Sequence, residues 1–380
     1  MGEHSLISPS GAHRWMNCPG SVTMEKDLPD SGSAYAAEGT TAHALLEQAI
    51  IAWKMPSEVD PATLGDNVDR SYINAEMNDC IDLVYEYIRD QRDRTKAETL
   101  YSEQRYPLGG YLGGGWGTAD VTMIAGTTLH IMDLKYGKGV PVDPKENPQL
   151  MLYALGAYGM FNDLMGFENV VLHIMQPRIN GGVFASWKLT VKKLLQFGEK
   201  VKKAVTATQS ASPKFKAGDW CRFCKAKAFC MARASTCTSL APVSAKEANT
   251  IPADQIAAYL KTGEDVAAWV KDLKEYALGL CLSGETVKGL KAVEGLSRRR
   301  WSDQEAAFKK LQENGIEEAL LYDRTPKTLA QLEKELGARN FNAIAAEFVI
   351  KPQGAPTLVS ESDKRPAITN IPSAAEMFGE

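Results

Sequence analysis

Over residues 38–53, EGTTAHALLEQAIIAW, apolar side chains recur at three- and four-residue intervals. That is the spacing of one helix face, with Thr40 or Thr41 as candidate caps. A second helix is predicted over about 72–92, through AEMNDCIDLVYEYIRDQRD. From residue 99 to 133 the period shortens to two. TLYSEQRYPL, GGWGTADVTMIA and TTLHIMDLKYG alternate, and AGTT makes a tight turn between the last two. A meander of antiparallel strands is expected there. ENPQLMLYALGAYGM returns to helical spacing, NVVLHIMQPR reads as a strand, and NGG before VFASWKLT as a hairpin. VKKLLQFGEKVKKAVTA is a further helix. Helix, sheet, helix and strand in that order predict a mixed α/β core.

Past about residue 240 the pattern changes, and this is the expected domain boundary. APVSAKEANTIPAD reads as a linker and PADQIAAYLKTGEDVAAWVKDLKEYALGLCLSG as two helices. SDQEAAFKKLQENG and TPKTLAQLEKELG are short helices that stop at Gly315 and Gly337. Three regions follow: a core domain over 1–240, a helical accessory domain over 241–350, and a polar, proline-rich tail over 351–380 that is extended or disordered.

Composition changes this picture little. With 380 residues there is enough chain for a large core and more than one domain; 44% hydrophobic and 24% charged residues are ordinary for a globular protein. The net charge of −4 announces no nucleic-acid partner, though a local basic groove can sit on an acidic protein. No stretch is apolar enough to span a bilayer, and the N-terminus lacks a secretory pattern, so a cytoplasmic protein with no membrane partner is expected.

The candidate chemistry starts at HIMDLKYG. Residues two apart on a strand share a face, so Asp133 and Lys135 project together. If the flanking strands pair around AGTT, Asp120 comes within reach of the same ion. Two carboxylates and the Leu134 carbonyl make a hard oxygen site of the kind Mg²⁺ or Mn²⁺ prefers. A neighbouring lysine can orient a water or hold a phosphoryl oxygen. The same triplet also suits an exposed ion pair worth about 0–1 kcal/mol. His43 adds an imidazole on the first helix, with Glu47 one turn on; Gln149 and Tyr153 share a face of a later helix.

Cys221, Cys224 and Cys230 form a C-x2-C-x5-C run in GDWCRFCKAKAFC. Tetrahedral zinc and iron–sulfur clusters usually need four thiolates. Cys237 is near in sequence; Cys18, in RWMNCPGS, is the other candidate partner.

EGTTAHALLE, GTAD, DLKYGKG and QLMLYAL together resemble the RecB-like branch of the PD-(D/E)xK nucleases, over roughly residues 5–235. The resemblance implies a restriction-endonuclease-like core, a mixed sheet flanked by helices. It implies His43, Asp120 and Asp133 as metal ligands with Leu134, Asp120, Asp133 and Lys135 as catalytic residues, and Gln149 and Tyr153 as support or DNA contacts. Glu103 falls where that family often has a strand glutamate, and takes a supporting role. SPSGAHRWMNCPGS resembles the N-terminal segment of the iron–sulfur subgroup, which includes AddB-like and CRISPR adaptation nucleases. In that subgroup Cys18, Cys221, Cys224 and Cys230 would hold a [4Fe–4S] cluster stapling the N-terminus to the end of the core. Zinc, or no metal, are the alternatives, and Cys80, Cys237 and Cys281 are left as packed thiols.

The expected activity is metal-dependent hydrolysis of DNA phosphodiesters, by an exonuclease of recombination, repair or phage DNA processing. The alternative is an inactive DNA-binding scaffold that keeps the fold and cluster. A phage or prophage setting is implied, with the helical C-terminal unit positioning DNA or docking a helicase or single-strand annealing protein. No P-loop appears. Lys135, Lys138, Lys145 and the lysines of VKKLLQFGEKVKK and CRFCKAKAF could line a groove along a phosphate backbone, and Trp301 of LSRRRW could stack on a base.

Overall fold

The computed structural model describes residues 7–29, 34–66, 68–179, 181–238 and 253–293, and in the C-terminal region 302–313, 317, 321–322, 327–329, 331–332 and 338–349. The chain divides into two compact units, Met1–Val293 and Glu294–Glu380. In the second unit, helices Gln304–Glu313 and Ala338–Ala345 are described. LSRRRW with Trp301, the stops at Gly315 and Gly337, and the tail over 351–380 lie outside the described residues.

The first unit is built on one five-stranded sheet: β1 (Thr99–Pro107), β2 (Trp116–Ala125), β3 (Thr128–Leu134), β4 (Asn169–Gln176) and β5 (Val183–Thr190), in that spatial order. β1, β2 and β3 form the expected antiparallel meander. A helix then crosses over and returns the chain parallel to β3 as β4, and β5 closes the sheet as a hairpin. Parallel neighbours need such a crossover, so the helical run between LKYG and NVVL is what makes the sheet mixed.

Helices α3 (Ala34–Ala52) and α4 (Ala75–Thr95) cover one face of the sheet, burying Leu45, Ile81, Val84 and Ile88 against Val121, Met123 and Met132. α3 begins earlier than the threonines suggested. Thr40 and Thr41 lie inside it, their hydroxyls donating to the carbonyls of Ala36 and Ala37 (3.0 and 3.2 Å). The good helix formers of AYAAE extend it toward the N-terminus. The single turn α5 (Gly109–Leu112) and helices α6 (Pro148–Met165) and α7 (Val191–Thr208) lie on the opposite face.

α6 lies unusually close to the sheet, and glycines allow it. A Cβ on Gly156 would stand 2.6 Å from the Tyr106 Cβ, and one on Gly117 would stand 2.8 Å from the Tyr153 ring. Both are impossible separations, so these two glycines set the depth at which α6 presents Gln149 and Tyr153.

The short helices α1 (Ala12–Asn17) and α2 (Gly20–Glu25) are tied to the segment after α7. Arg14 donates to the Phe223 carbonyl (2.8 Å) and pairs with Glu25 (2.9 Å), which also accepts the Lys225 amide (2.7 Å). α8 (Met231–Thr238) follows, then α9 (Ala253–Leu282). Two helices were expected over the last stretch, but it is one. The Lys-Thr-Gly-Glu interruption costs about 1 kcal/mol of helix propensity. The helix formers on both sides carry it through, and contacts seat the part beyond: Trp269 donates to the Ala228 carbonyl (3.2 Å), Asp272 pairs with Arg233 (2.6 Å), and Tyr276 packs on Phe229.

Candidate metal centre

The centre forms where the sheet changes faces. Ala119 packs into the core under α6, yet Val121, two residues on, packs into the core under α3 and α4. Strict alternation would put both on one face. The switch falls at Asp120 and at Glu103 across from it. These two are skipped in a register that pairs Ser102 with Val121 and Gln104 with Ala119. Glu103 has a left-handed backbone, φ +47°, which costs a non-glycine residue on the order of 1–3 kcal/mol. The β2–β3 ladder also ends here, after Val121 and Met132. The Asp120 carboxylate substitutes for the missing ladder partner by accepting the Leu134 amide at 2.6 Å.

Two groups of side chains meet at this break. In the first, His43 from α3 places Nδ1 3.3 Å from Asp120 and 3.6 Å from Glu103. One ligand atom from each of the three lies within 4.8 Å of the others, a spacing a single cation could occupy. In the second, the Lys135 ammonium is 2.7 Å from Asp133 Oδ2 and donates to Gln149 Oε1 (3.0 Å). Gln149 donates in turn to Asp133 Oδ1 (3.3 Å) and to the Tyr153 hydroxyl (2.8 Å). The first turn of α6 is fixed by Asn147, whose side chain accepts the Gln149 and Leu150 amides.

Electrostatics couple the groups. Burial opposes charge on His43, but Asp120, Glu103 and Asp133 outweigh it and hold its pKa well above the ordinary value. Burial likewise opposes the Asp120 carboxylate, and His43 with the Leu134 amide overcomes it, lowering that pKa. Burial, joined by repulsion from Asp120, pushes Asp133 up to about 6 against the pull of Lys135. Burial also works against the Lys135 ammonium, but the two aspartates prevail and raise its pKa, so this lysine stays charged at neutral pH. Glu47 sits close enough to feel Glu103, and burial and that repulsion raise it.

Every residue expected at the site converges on it, with some changes of place. Glu103, read from the sequence as a supporting residue, stands in the His43–Asp120 group. Asp133 is turned to Lys135 and Gln149 instead. Leu134 enters through its amide. The φ of Glu103 was invisible in YSEQRY, because nothing in that pattern marks a strand residue as left-handed. The donor set suits a hard divalent cation. Asp133 Oδ2 is fully buried and has the Lys135 ammonium at 2.7 Å as its charged partner.

Cys18, Cys221, Cys224 and Cys230 line one small cavity of ≈ 20 Å³ between α1–α2 and the segment after α7, with Arg14, Lys216 and Arg233 around it. Backbone amides of Lys216 and Gly218 point at the sulfurs of Cys18 and Cys221 (3.4 Å each). Gly20 has no room for a Cβ, which would meet the Phe215 ring at 2.5 Å, so the two segments pack at contact distance. The sulfurs are not drawn into a tight set: no three of them lie within 4.8 Å of one another. Tetrahedral zinc would hold thiolates about 3.8 Å apart, given Zn–S bonds near 2.3 Å. Burial pushes the Cys224 thiol up to about 12 and raises Cys221 as well, so both are neutral without a metal.

The protein is thus of mixed α/β class, a five-stranded sheet between helices with a histidine–carboxylate centre able to hold a divalent cation. A family profile described as "Protein of unknown function (DUF2800)" matches residues 4–366, and the chain belongs to that family. Two solved structures are similar at low identity. One is SSO0001, at 16% identity over 61% of this chain and 88% of that one, with a TM-score of 0.27. The other is an inferred exonuclease from Eubacterium rectale, at 14% identity over 57% of this chain and 86% of that one, with a TM-score of 0.35. Among the described residues no helix is long and apolar enough to cross a membrane.

Proposed function

We propose that the protein is a Mg²⁺- or Mn²⁺-dependent deoxyribonuclease of the RecB-like PD-(D/E)xK type. One observation carries the reading: a half-buried His43–Glu103–Asp120 group set directly beside an Asp133–Lys135–Gln149 group in which only Asp133 is fully buried. His43, Glu103 and Asp120 would hold the ion, with Asp133 and the Leu134 carbonyl as further oxygen donors. When bound, such an ion supplies Lewis acidity toward a phosphodiester oxygen and an acidified water. Lys135, kept cationic by two aspartates, neutralises charge developing on the phosphate; a charged ammonium is no general base. Gln149 fixes both Lys135 and Asp133, and Tyr153 fixes Gln149.

Cys18, Cys221, Cys224 and Cys230 are read as ligands of a structural [4Fe–4S] cluster. These four thiolates would hold such a cluster, which would accept wider sulfur spacing than a single zinc ion and would tie the N-terminal helices to the segment after α7. Four cysteines from two distant segments around one cavity support the reading. DNA is the proposed substrate, and a helicase or single-strand annealing protein of a phage or prophage recombination system the proposed partner.

The test is incubation of the aerobically and anaerobically purified protein with end-labelled linear and closed circular DNA, with Mn²⁺ or with EDTA. Mn²⁺-dependent cleavage lost in both D133A and K135A is expected; cleavage retained in both overturns the assignment. Iron and acid-labile sulfide near four per chain are expected, and zinc or no metal in their place removes the cluster.

A further inference from the structure

Gln149 faces the metal centre, but its neighbour Pro148 faces away, into an open groove of ≈ 330 Å³ between α1, α6 and α7. The first turn of α6 is a partition: Gln149 and Asp133 on one side, Pro148 and Met151 on the other. Adjacent helix residues point about 100° apart and lie within one turn, a 5.4 Å pitch. The groove and the candidate centre therefore lie on either side of one helix turn, about 10 Å apart.

Its floor is apolar, made by Met16, Met151 and Phe197, and its rim carries Asn17, Gln196 and Lys200. Charge at the rim is unbalanced in one direction. Glu146 pairs with Lys193 (2.7 Å) and Asp219 lies 3.4 Å from His13. Lys200 has no ion pair among the described residues. The α7 surface beside it carries the exposed lysines of VKKLLQFGEKVKK. An apolar floor with a hydrogen-bonding, cationic rim fits a heterocyclic base stacked below and its phosphate held above. The volume suits one nucleoside.

We propose that this groove seats one nucleotide of a single DNA strand, the unit next to the phosphate at the metal centre. The proposal rests on the nuclease reading, and its test separates the two. The probe for binding is fluorescein-labelled dT8 in EDTA, followed by anisotropy, where no cleavage is required. The variants are Lys200→Glu and Gln196→Glu, both on the exposed face of α7 and neutral to folding, checked by thermal melting. The control substrate is bis(p-nitrophenyl) phosphate, a phosphodiester that carries no nucleoside and so engages the metal centre alone.

Each variant should weaken dT8 binding at least about fivefold, and K200E should flatten the dependence of log K on log salt by about one unit. Cleavage of an oligonucleotide should show a raised KM with kcat kept, and cleavage of the small ester should not change. No dT8 binding by the wild type, or equal binding by wild type and both variants, overturns the groove assignment. A wild type that binds dT8 in this variant-sensitive way but cleaves neither substrate with Mn²⁺ keeps the groove and sinks the nuclease reading.

Discussion

Asp120 accepts the backbone amide of Leu134 at 2.6 Å and, through its other oxygen, faces His43 at 3.3 Å. One carboxylate therefore both closes the broken end of the β2–β3 ladder and completes the histidine group. The break in the sheet and the candidate centre are one feature, because the groups freed from the ladder are the ones that gather there.

Glu103 tests whether the strained strand residue belongs to the centre. Glu103→Gln keeps the side-chain shape and removes the charge. Mn²⁺ affinity, read by electron paramagnetic resonance titration, should fall by about tenfold or more, the cost of one lost charged ligand at about 1.4 kcal/mol per decade. Thermal stability without metal should fall slightly, by less than about 1 kcal/mol, since the His43 imidazolium loses one of the carboxylates that hold its charge. Unchanged Mn²⁺ affinity would place Glu103 outside the ligand set.

Gly156→Ala tests the close seating of α6. Alanine is the better helix former by about 1 kcal/mol. The new Cβ, however, would fall 2.6 Å from Tyr106 and 3.3 Å from Leu108, and overpacking costs about 1–3 kcal/mol. Net destabilisation is expected in urea titrations, together with a loss of DNA cleavage larger than the stability loss explains, because Gln149 moves with the helix. A stabilised variant would show that α6 has slack.

Arg178 links the histidine helix to the lysine segment. Its guanidinium pairs with Glu38 on α3 (2.9 Å) and Glu76 on α4 (3.3 Å) and lies 4.5 Å from the centroid of the Tyr136 ring, one residue past Lys135. Burial opposes its charge, and the two glutamates outweigh that to raise its pKa. Arg178→Met should destabilise by about 1–3 kcal/mol, since it strips Glu38 of its partner, while Glu76 keeps Lys138 at 2.7 Å. Chemical denaturation measures it; a cost under about 0.5 kcal/mol would mean that the pairs are solvent-screened.

His130 and His173 predict acid sensitivity. They stack under α4 with Nδ1 of His130 3.1 Å from Nε2 of His173, and Tyr87 lies 2.9 Å from the other nitrogen of His173. Burial, with Lys188 acting on His130 and His130 on His173, pushes the pair down to about 4 and about 3. The unfolded chain takes up these protons near pH 6.5 and the folded chain does not, so this share of stability is full above pH 6.5 and is lost as pH falls toward 4. Each histidine contributes a slope of up to about 1.4 kcal/mol per pH unit in that window. His173→Phe keeps the stacking and should make the measured slope between pH 6.5 and 4.5 shallower than in the wild type. Equal slopes would mean that the pair is already solvated.

The sequence alone determined the strands of the meander and the helix–strand order. Those follow from local period and turn chemistry, which each segment carries in itself. The meeting of His43, Asp120, Asp133, Lys135 and Gln149 and the pairing of Cys18 with the later cysteines it offered only through a family resemblance; the fold sets the four cysteines around one cavity without drawing their sulfurs together. Three things only the tertiary structure decided. The face switch at Asp120 and the left-handed φ of Glu103 arise from pairing between strands, and period-two reading assumes that no such break exists. The close seating of α6 depends on Gly117 and Gly156 meeting aromatic residues far away in the chain. The seating of α9 depends on what Trp269, Asp272 and Tyr276 touch. In each case the deciding contact joins residues remote in sequence, and no local pattern carries that information.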